Sequence, residues 1–236
     1  MDESLVDGSF RPLGVVVGRV TLSRGEPTWS SGAVIAWCEA HAVGMEDVAG
    51  QDLVIFLFDP SDAVARLEMR RVLALVHAKP GITCVVIIPA GAAGPAGVHE
   101  LARQLEACVL EAPADPGALS RAADILAGSM VVCGLTGYDF ADVARLLSPG
   151  RGGRFALFDV SGTALDAFVA GGRVFEQVED AIAIVRCASD VTLRWVNDVA
   201  CAVESLLHED GNLLVATPTE EACLVSALTV ICLVPA

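Results

Sequence analysis

The 236-residue sequence is poor in positive charge and in aromatic side chains. It has 15 Lys and Arg against 30 Asp and Glu, a formal charge of −15, and 5% aromatics with a single tyrosine. No basic run longer than Arg70-Arg71 occurs, so phosphate backbones and anionic membrane surfaces would be repelled. Nucleic acid and membrane are therefore excluded as expected partners. No apolar run reaches the roughly 18–20 residues of a membrane span; the C-terminal run 222–236 is shorter and carries Ser226 and Thr229. The acidic start M-D-E-S-L-V-D-G lacks the basic and apolar regions of a signal peptide, so a cytoplasmic protein is expected. None of the eight cysteines forms C-x-x-C and no histidine stands at ligand spacing from one. Reduced, buried thiols are expected at 38, 84, 108, 133, 187, 201, 223 and 232, with no metal site and no cofactor. No triad or activated nucleophile is present.

What is abundant is apolar sequence: 54% of residues, with a mean hydropathy of +0.59. Short apolar runs alternate with segments of helical period. Residues 14–22, 51–58 (Q-D-L-V-I-F-L-F), 82–88 and 107–110 read as strands, and continuous runs of this kind suit parallel strands buried on both faces. Helices are predicted from Ser30 or Ser31 to about 48 and from Ser61 or Asp62, where Met69, Val72, Leu73 and Val76 share a face. Further helices are predicted over about 97–106, 118–132 and 139–147. After the loop S-P-G-R-G-G (148–153), strands are predicted at 155–160, 181–187, 213–216 and 228–234, with a helix over 191–207. The alternation predicts an α/β fold with a mostly parallel sheet and a boundary near 133–150.

Three groups of residues could carry chemistry. In residues 134–143, G-L-T-G-Y-D-F-A-D-V, Asp139 and Asp142 stand at i, i+3 spacing at a predicted helix start. Spacing alone fits either an N-cap with a favourable N3 carboxylate or a catalytic or docking pair. Tyr138 beside Gly137 would make an exposed docking aromatic. The second group is Asp59 and Asp62 after strand 51–58. The third is P-A-G-A-A-G-P-A-G (89–97) with Gly91, Gly94 and Gly97; it fits neither G-x-G-x-x-G nor G-x-x-x-x-G-K-[ST] and reads as a structural loop or an anion site. Arg70, Arg71, Arg145, Arg151 and Arg154 read as solvated or locally paired cations, and Trp195 as a core residue or an interface anchor.

The first of these stretches resembles the T7 loop of the FtsZ/tubulin superfamily, G-L-x-N-x-D-F-A-D-V, whose acidic residues reach into the GTP pocket of the next subunit of a filament. The resemblance extends to 180–200 (D-A-I-A-I-V-R-C-A-S-D-V-T-L-R-W-V-N-D-V-A) and 220–234 (E-E-A-C-L-V-S-A-L-T-V-I-C-L-V), and to S-R-A-A-D at 120–124, similar to the family's F-R-A-A-D central-helix start. It also touches 50–58 and R-V-T-L-S-R-G at 19–25. It implies a truncated Rossmann-like layer (1–133) and an FtsZ-type C-terminal α+β domain (134–236), joined by a shortened central helix.

The departures are specific. The family's G-G-G-T-G-T-G phosphate loop is missing. In its place stands D-P-S-D, where proline removes a donor and each carboxylate would repel a triphosphate by roughly 1–4 kcal/mol at about 4 Å. The first strand with its own glycine-rich loop is also expected to be absent, and so is the C-terminal adaptor-binding tail. The family's T7 asparagine is Gly137. The resemblance thus implies a pseudo-GTPase of a bacterial cell-division cytoskeleton, without enzyme activity. Its Gly134, Leu135, Gly137, Tyr138, Asp139 and Asp142 would dock on an FtsZ-type filament subunit and cap or modulate the filament. The alternatives are a structural homo-oligomer with only itself as partner, and a nucleotide or small-ligand binder using 59–62 and 91–97.

Overall fold

A computed structural model of the chain describes residues 15–19, 35–39, 43–48, 51–94, 97–114, 117–131, 139–159, 178–186, 191–218 and 227–234. Nine strands and six helices occur among them: β1 (Val15–Arg19), β2 (Ile35–Glu39), α1 (Met45–Val48), β3 (Leu53–Leu57), α2 (Ala63–His77), β4 (Thr83–Pro89), α3 (Gly97–Leu105), β5 (Cys108–Ala112), α4 (Ala118–Val131), α5 (Phe140–Leu146), β6 (Gly152–Asp159), β7 (Asp180–Arg186), α6 (Leu193–Glu204), β8 (Leu213–Ala216) and β9 (Ala227–Val234). The strands form one sheet in the order β2-β1-β3-β4-β5-β6-β9-β7-β8. From β2 to β6 all pairings are parallel, whereas β9 runs antiparallel to both β6 and β7.

The parallel strands are apolar because both faces are covered, and successive side chains serve opposite covers. Leu53, Ile55 and Leu57 of β3, with Val85 and Ile87 of β4, enter a core under α4 and α5. Val54, Phe56 and Phe58, with Cys84, Val86 and Ile88, enter a second core under α2 and α3. In the antiparallel half, Ile182, Ile184, Ile231 and Leu233 join the α4–α5 core, while Ala183, Val185, Val230 and Cys232 face α6. One face of the sheet therefore has a cover common to both halves, and the other has two separate covers.

Most predicted elements are present with boundaries shifted by a few residues. The exception is the helix predicted from Ser30 or Ser31 to 48. There, β2 pairs in parallel with β1, and only the short α1 is helical. Ile35 and Trp37 are strand formers, and an unpaired edge at β1 outweighs the helical period of the segment. The helix resumes after Gly44, whose N–H donates to Asp47 Oδ2 at 2.8 Å.

Of the cysteines, Cys84, Cys108 and Cys232 are buried, as expected, and burial pushes each thiol up to about 12. Cys201 corrects the expectation: it lies on the outer face of α6 and is exposed. Cys133, Cys187 and Cys223 lie outside the described residues. No helix among the described residues is long and apolar enough to cross a membrane, and they hold no cluster of metal-ligating side chains.

Candidate functional site

In a parallel sheet, ligands bind where loops leave the carboxyl ends of the strands. Here that edge is formed, among the described residues, by 58–62 after β3, 90–94 after β4 and 113–114 after β5. The loops are tied together: Phe58 N donates to Ile87 O at 2.9 Å, Ala90 N to Ala112 O at 2.8 Å, and Gly91 N to Glu111 Oε1 at 3.0 Å. Both the Asp59/Asp62 group and the Gly91/Gly94/Gly97 group therefore sit on one edge.

Each of these groups uses its donors internally. Asp62 is the N-cap of α2, accepting from Val64 N at 2.8 Å and Ala65 N at 3.2 Å. Asp59 accepts from Ser61 N at 2.9 Å and Ser61 Oγ at 2.7 Å, and Arg66 Nη1 donates to Pro60 O at 2.7 Å. A helix N-terminus attracts a phosphate because its first amides lack partners. At α2, Asp62 already occupies that role, and Asp59, bonded to Ser61 just ahead of the helix, adds a second negative charge beside it. In the other loop, Ala92 N donates to Pro89 O and Gly94 N to Gly91 O, while Glu111 holds Gly91 N. Gly91, Gly94 and Gly97 adopt φ of 80, 67 and 74, so the glycines permit tight left-handed turns. Glu111 places a carboxylate at the amide that an anion would need.

The 134–143 stretch lies only partly within the described residues. Gly134, Leu135, Gly137 and Tyr138 lie outside them. Asp139 and Asp142 are described and exposed. Asp139 is the N-cap of α5, accepting from Ala141 N at 3.1 Å, and Asp142 lies in the first turn with its N–H on Asp139 O at 3.0 Å. Val143, Leu146 and Leu147, farther along the chain, anchor this helix in the core beneath α4. The acidic pair is thus held on a rigid element with its carboxylates toward solvent.

Asp139 and Asp142 also sit away from the other two groups. α4 starts at the carboxyl edge after β5 and carries the chain back across the sheet. The α5 segment then leads into β6, whose Gly152 pairs with Val109 near the start of β5. Asp139 and Asp142 therefore follow the return of the chain toward the amino edge, and the structure does not join them to Asp59, Asp62 or the 91–97 glycines.

Sequence reasoning missed one polar cluster. Arg151, read as a solvated or locally paired cation, is only 15% exposed and pairs with residues distant in sequence. Its Nη1 donates to Asp180 Oδ2 at 2.7 Å and its Nη2 to Glu179 Oε2 at 3.2 Å. Asp180 also accepts from Asn212 N at 2.9 Å and Asn212 Nδ2 at 2.8 Å. Burial works to raise the pKa of Asp180, but the hydrogen bonds from Asn212 and Arg151 and the Arg151 charge outweigh it and hold the carboxyl below its ordinary range. The available signal was Glu179-Asp180 directly ahead of an apolar strand, where unpaired charge is costly. Arg71 does pair locally, with Glu68 at 3.0 Å, and also donates to Val43 O. Trp195 is half-buried against the α6 core.

No protein-family profile matches the sequence, and no curated protein matches it significantly. Solved structures do. A variant of FtsZ from M. jannaschii superposes with a TM-score of 0.65 at 15% identity, covering 81% of this chain and 68% of that one. An empty FtsZ dimer from the same organism gives 0.60 at 14%, covering 80% and 65%. TubZ from Bacillus thuringiensis serovar israelensis, in GDP-form protofilaments, gives 0.52 at 13%, covering 77% and 61%. The chain thus spans about two thirds of the length of these structures. It has an FtsZ/tubulin-like α/β fold.

Proposed function

We propose that the chain is a non-hydrolysing FtsZ-like protein that works by protein–protein association, with residues 1–133 as a degenerate nucleotide half and 134–236 as the docking half. The observation that carries this reading is the occupancy of the α2 N-terminus: Asp62 takes the first-turn amides that a nucleotide phosphate would need, and Asp59 on Ser61 adds a second carboxylate beside them, within an FtsZ/tubulin-like fold. A protein built this way would bind no GTP through that loop. The rigid, exposed Asp139–Asp142 face would remain for contact, with Gly134, Leu135, Gly137 and Tyr138 beside it in sequence.

The separation of the two groups supports a capping role. Head-to-tail contacts propagate only when both ends of a subunit engage. A subunit offering the α5 end without a nucleotide end would dock on a genuine FtsZ-type filament and stop it. Substoichiometric protein should shorten FtsZ filaments in light scattering and electron microscopy, and the pair Asp142→Arg and Tyr138→Ala should abolish the effect. Full capping by that double variant would overturn the docking assignment, and micromolar GTP binding in calorimetry would overturn the loss of the nucleotide site. A second copy of the chain is the other partner class, since a dimer and protofilaments are described for similar structures. A concentration-dependent rise in mass for the protein alone would favour it.

A further inference from the structure

A groove of about 330 Å³ runs between α2 and α3, on the sheet face opposite α4. Its apolar lining comes from Phe58, Leu73, Leu101 and Leu105, and its α2 wall carries Arg66, Arg70 and His77. The three cationic or titratable groups fall on one helix face at i, i+4 and i+11, in a chain whose formal charge is −15. The groove is open along its length: Arg66, Arg70, Ala74 and His77 are all exposed.

Two of the nearby carboxylates are engaged by neighbours, while Glu106 brings one carboxylate to the His77 end of the groove, its Oε2 4.0 Å from His77 Nδ1. On α2, Glu68 is engaged by Arg71, and on α3, Glu100 is engaged by Arg103 and Gln104. Arg66 is steadied by its bond to Pro60 O, while Arg70 has no ion pair among the described residues. At the far end, His77 Nε2 lies 3.2 Å from Glu106 O. Glu106 is the one non-glycine described residue with positive φ, at 49. A side-chain-bearing residue in that conformation marks a backbone fixed by its surroundings.

We infer that this groove docks a short acidic peptide segment of a partner protein, its carboxylates on Arg66 and Arg70 and its apolar side chains over Leu73, Leu101 and Leu105. Guanidinium groups bind carboxylates through paired N–H donors, and the apolar floor between them supplies anchor sites. From Arg66 to His77 the α2 face is about 16 Å long, the span of about five residues of extended chain. This site is independent of the α5 face and of filament capping.

The test is selection from a random peptide library displayed on phage, using the full chain as bait and an unrelated acidic protein for counter-selection. Enriched peptides should interleave Asp or Glu with Leu, Ile or Phe. Measured by fluorescence anisotropy, their affinity should fall at least tenfold in Arg70→Glu and vanish in Ala74→Trp, which fills the groove from an exposed position. Both changes are on the surface, so an unchanged Tm would confirm that folding is intact. Failure to enrich any peptide, or enriched peptides that bind both variants as they bind the wild type, would overturn the proposal. Displacement by inorganic phosphate, but not by chloride at equal ionic strength, would assign the groove to phosphate groups and would also overturn it. No FtsZ filament takes part, so failure here is separate from failure of capping.

Discussion

The parallel half, β1 to β5, and the mixed half, β6 to β9, are built alike on one face of the sheet and differently on the other. Under α4 and α5 their side chains form one core, in which Leu53 and Leu110 belong to the same cluster as Ile184 and Leu233. On the opposite face α2 and α3 cover the first half, and α6 covers the second with its own valines, Val196, Val199 and Val203. The polar interactions differ too. In the parallel half they satisfy loop and helix ends, locally for Asp59 and Asp62 and across neighbouring strand ends for Glu111. In the mixed half they form a buried cluster at the point where the halves meet. Arg151 O accepts from Val109 N of β5, while its guanidinium holds Asp180 and Glu179 at the start of β7. The halves therefore cohere through one shared core and one ionic clasp.

The clasp is the most sensitive point. Arg151→Ala would leave Asp180 charged and buried without its cation, which should cost about 3–5 kcal/mol in denaturant unfolding. The pH dependence follows from the lowered pKa. The folded protein holds the Asp180 proton less tightly than the unfolded chain, so its stabilisation is present above the unfolded value of 3.8 and is lost as pH falls through the lower folded value. Asp180→Asn should flatten that acid limb of the stability profile. An unaltered limb in Asp180→Asn would show that other carboxylates govern acid unfolding.

The shared core gives the next effect. Leu126 of α4 is fully buried, and Leu126→Ala should cost about 2–5 kcal/mol. Because its cluster draws on both halves, amide exchange should accelerate in β3, β4, β7 and β9 together. Val199→Ala, on the separate α6 cover, should cost less and act mainly on β7 and β9. If Val199→Ala loosened β3 and β4 to the same extent, the division into one shared and two separate covers would be wrong.

The core was legible in the sequence because burial leaves a period. Continuous runs such as L-V-I-F-L gave the parallel strands, and the 3.6-residue spacing of Met69, Val72, Leu73 and Val76 gave the inner face of α2. Residues 35–39 misled because a short edge strand carries too few residues to separate period two from helical period. At the sites, sequence placed Ser61 or Asp62, and Asp139, at helix starts, since a capping side chain before an apolar period is a local signal; the caps are Asp62 and Asp139. It could not see that Glu111 caps Gly91, or that Arg151 reaches Asp180, because those contacts join residues 20 and 29 positions apart through the sheet. The α2–α3 groove was hidden for the same reason: Arg70 looks solvated until Leu101 and Leu105 are placed opposite it.

The smallest expected effect bears most directly on the parallel half. Asp62→Ala removes an N-cap and should cost about 1 kcal/mol, with Asp62→Ser recovering most of the loss because its hydroxyl accepts from the same amides. The comparison separates two views of the loop after β3. If the amides of Val64 and Ala65 belong to Asp62 in the working protein, the alanine variant is less stable and added phosphate does not restore it. If they are held for an anion, the variant loses little, and inorganic phosphate raises its Tm by binding the vacated helix end. The second outcome would return the carboxyl edge to the nucleotide-binding edges of α/β proteins. The first would leave it a self-sealed surface, and the proposed association would have to proceed through α5 or the α2–α3 groove.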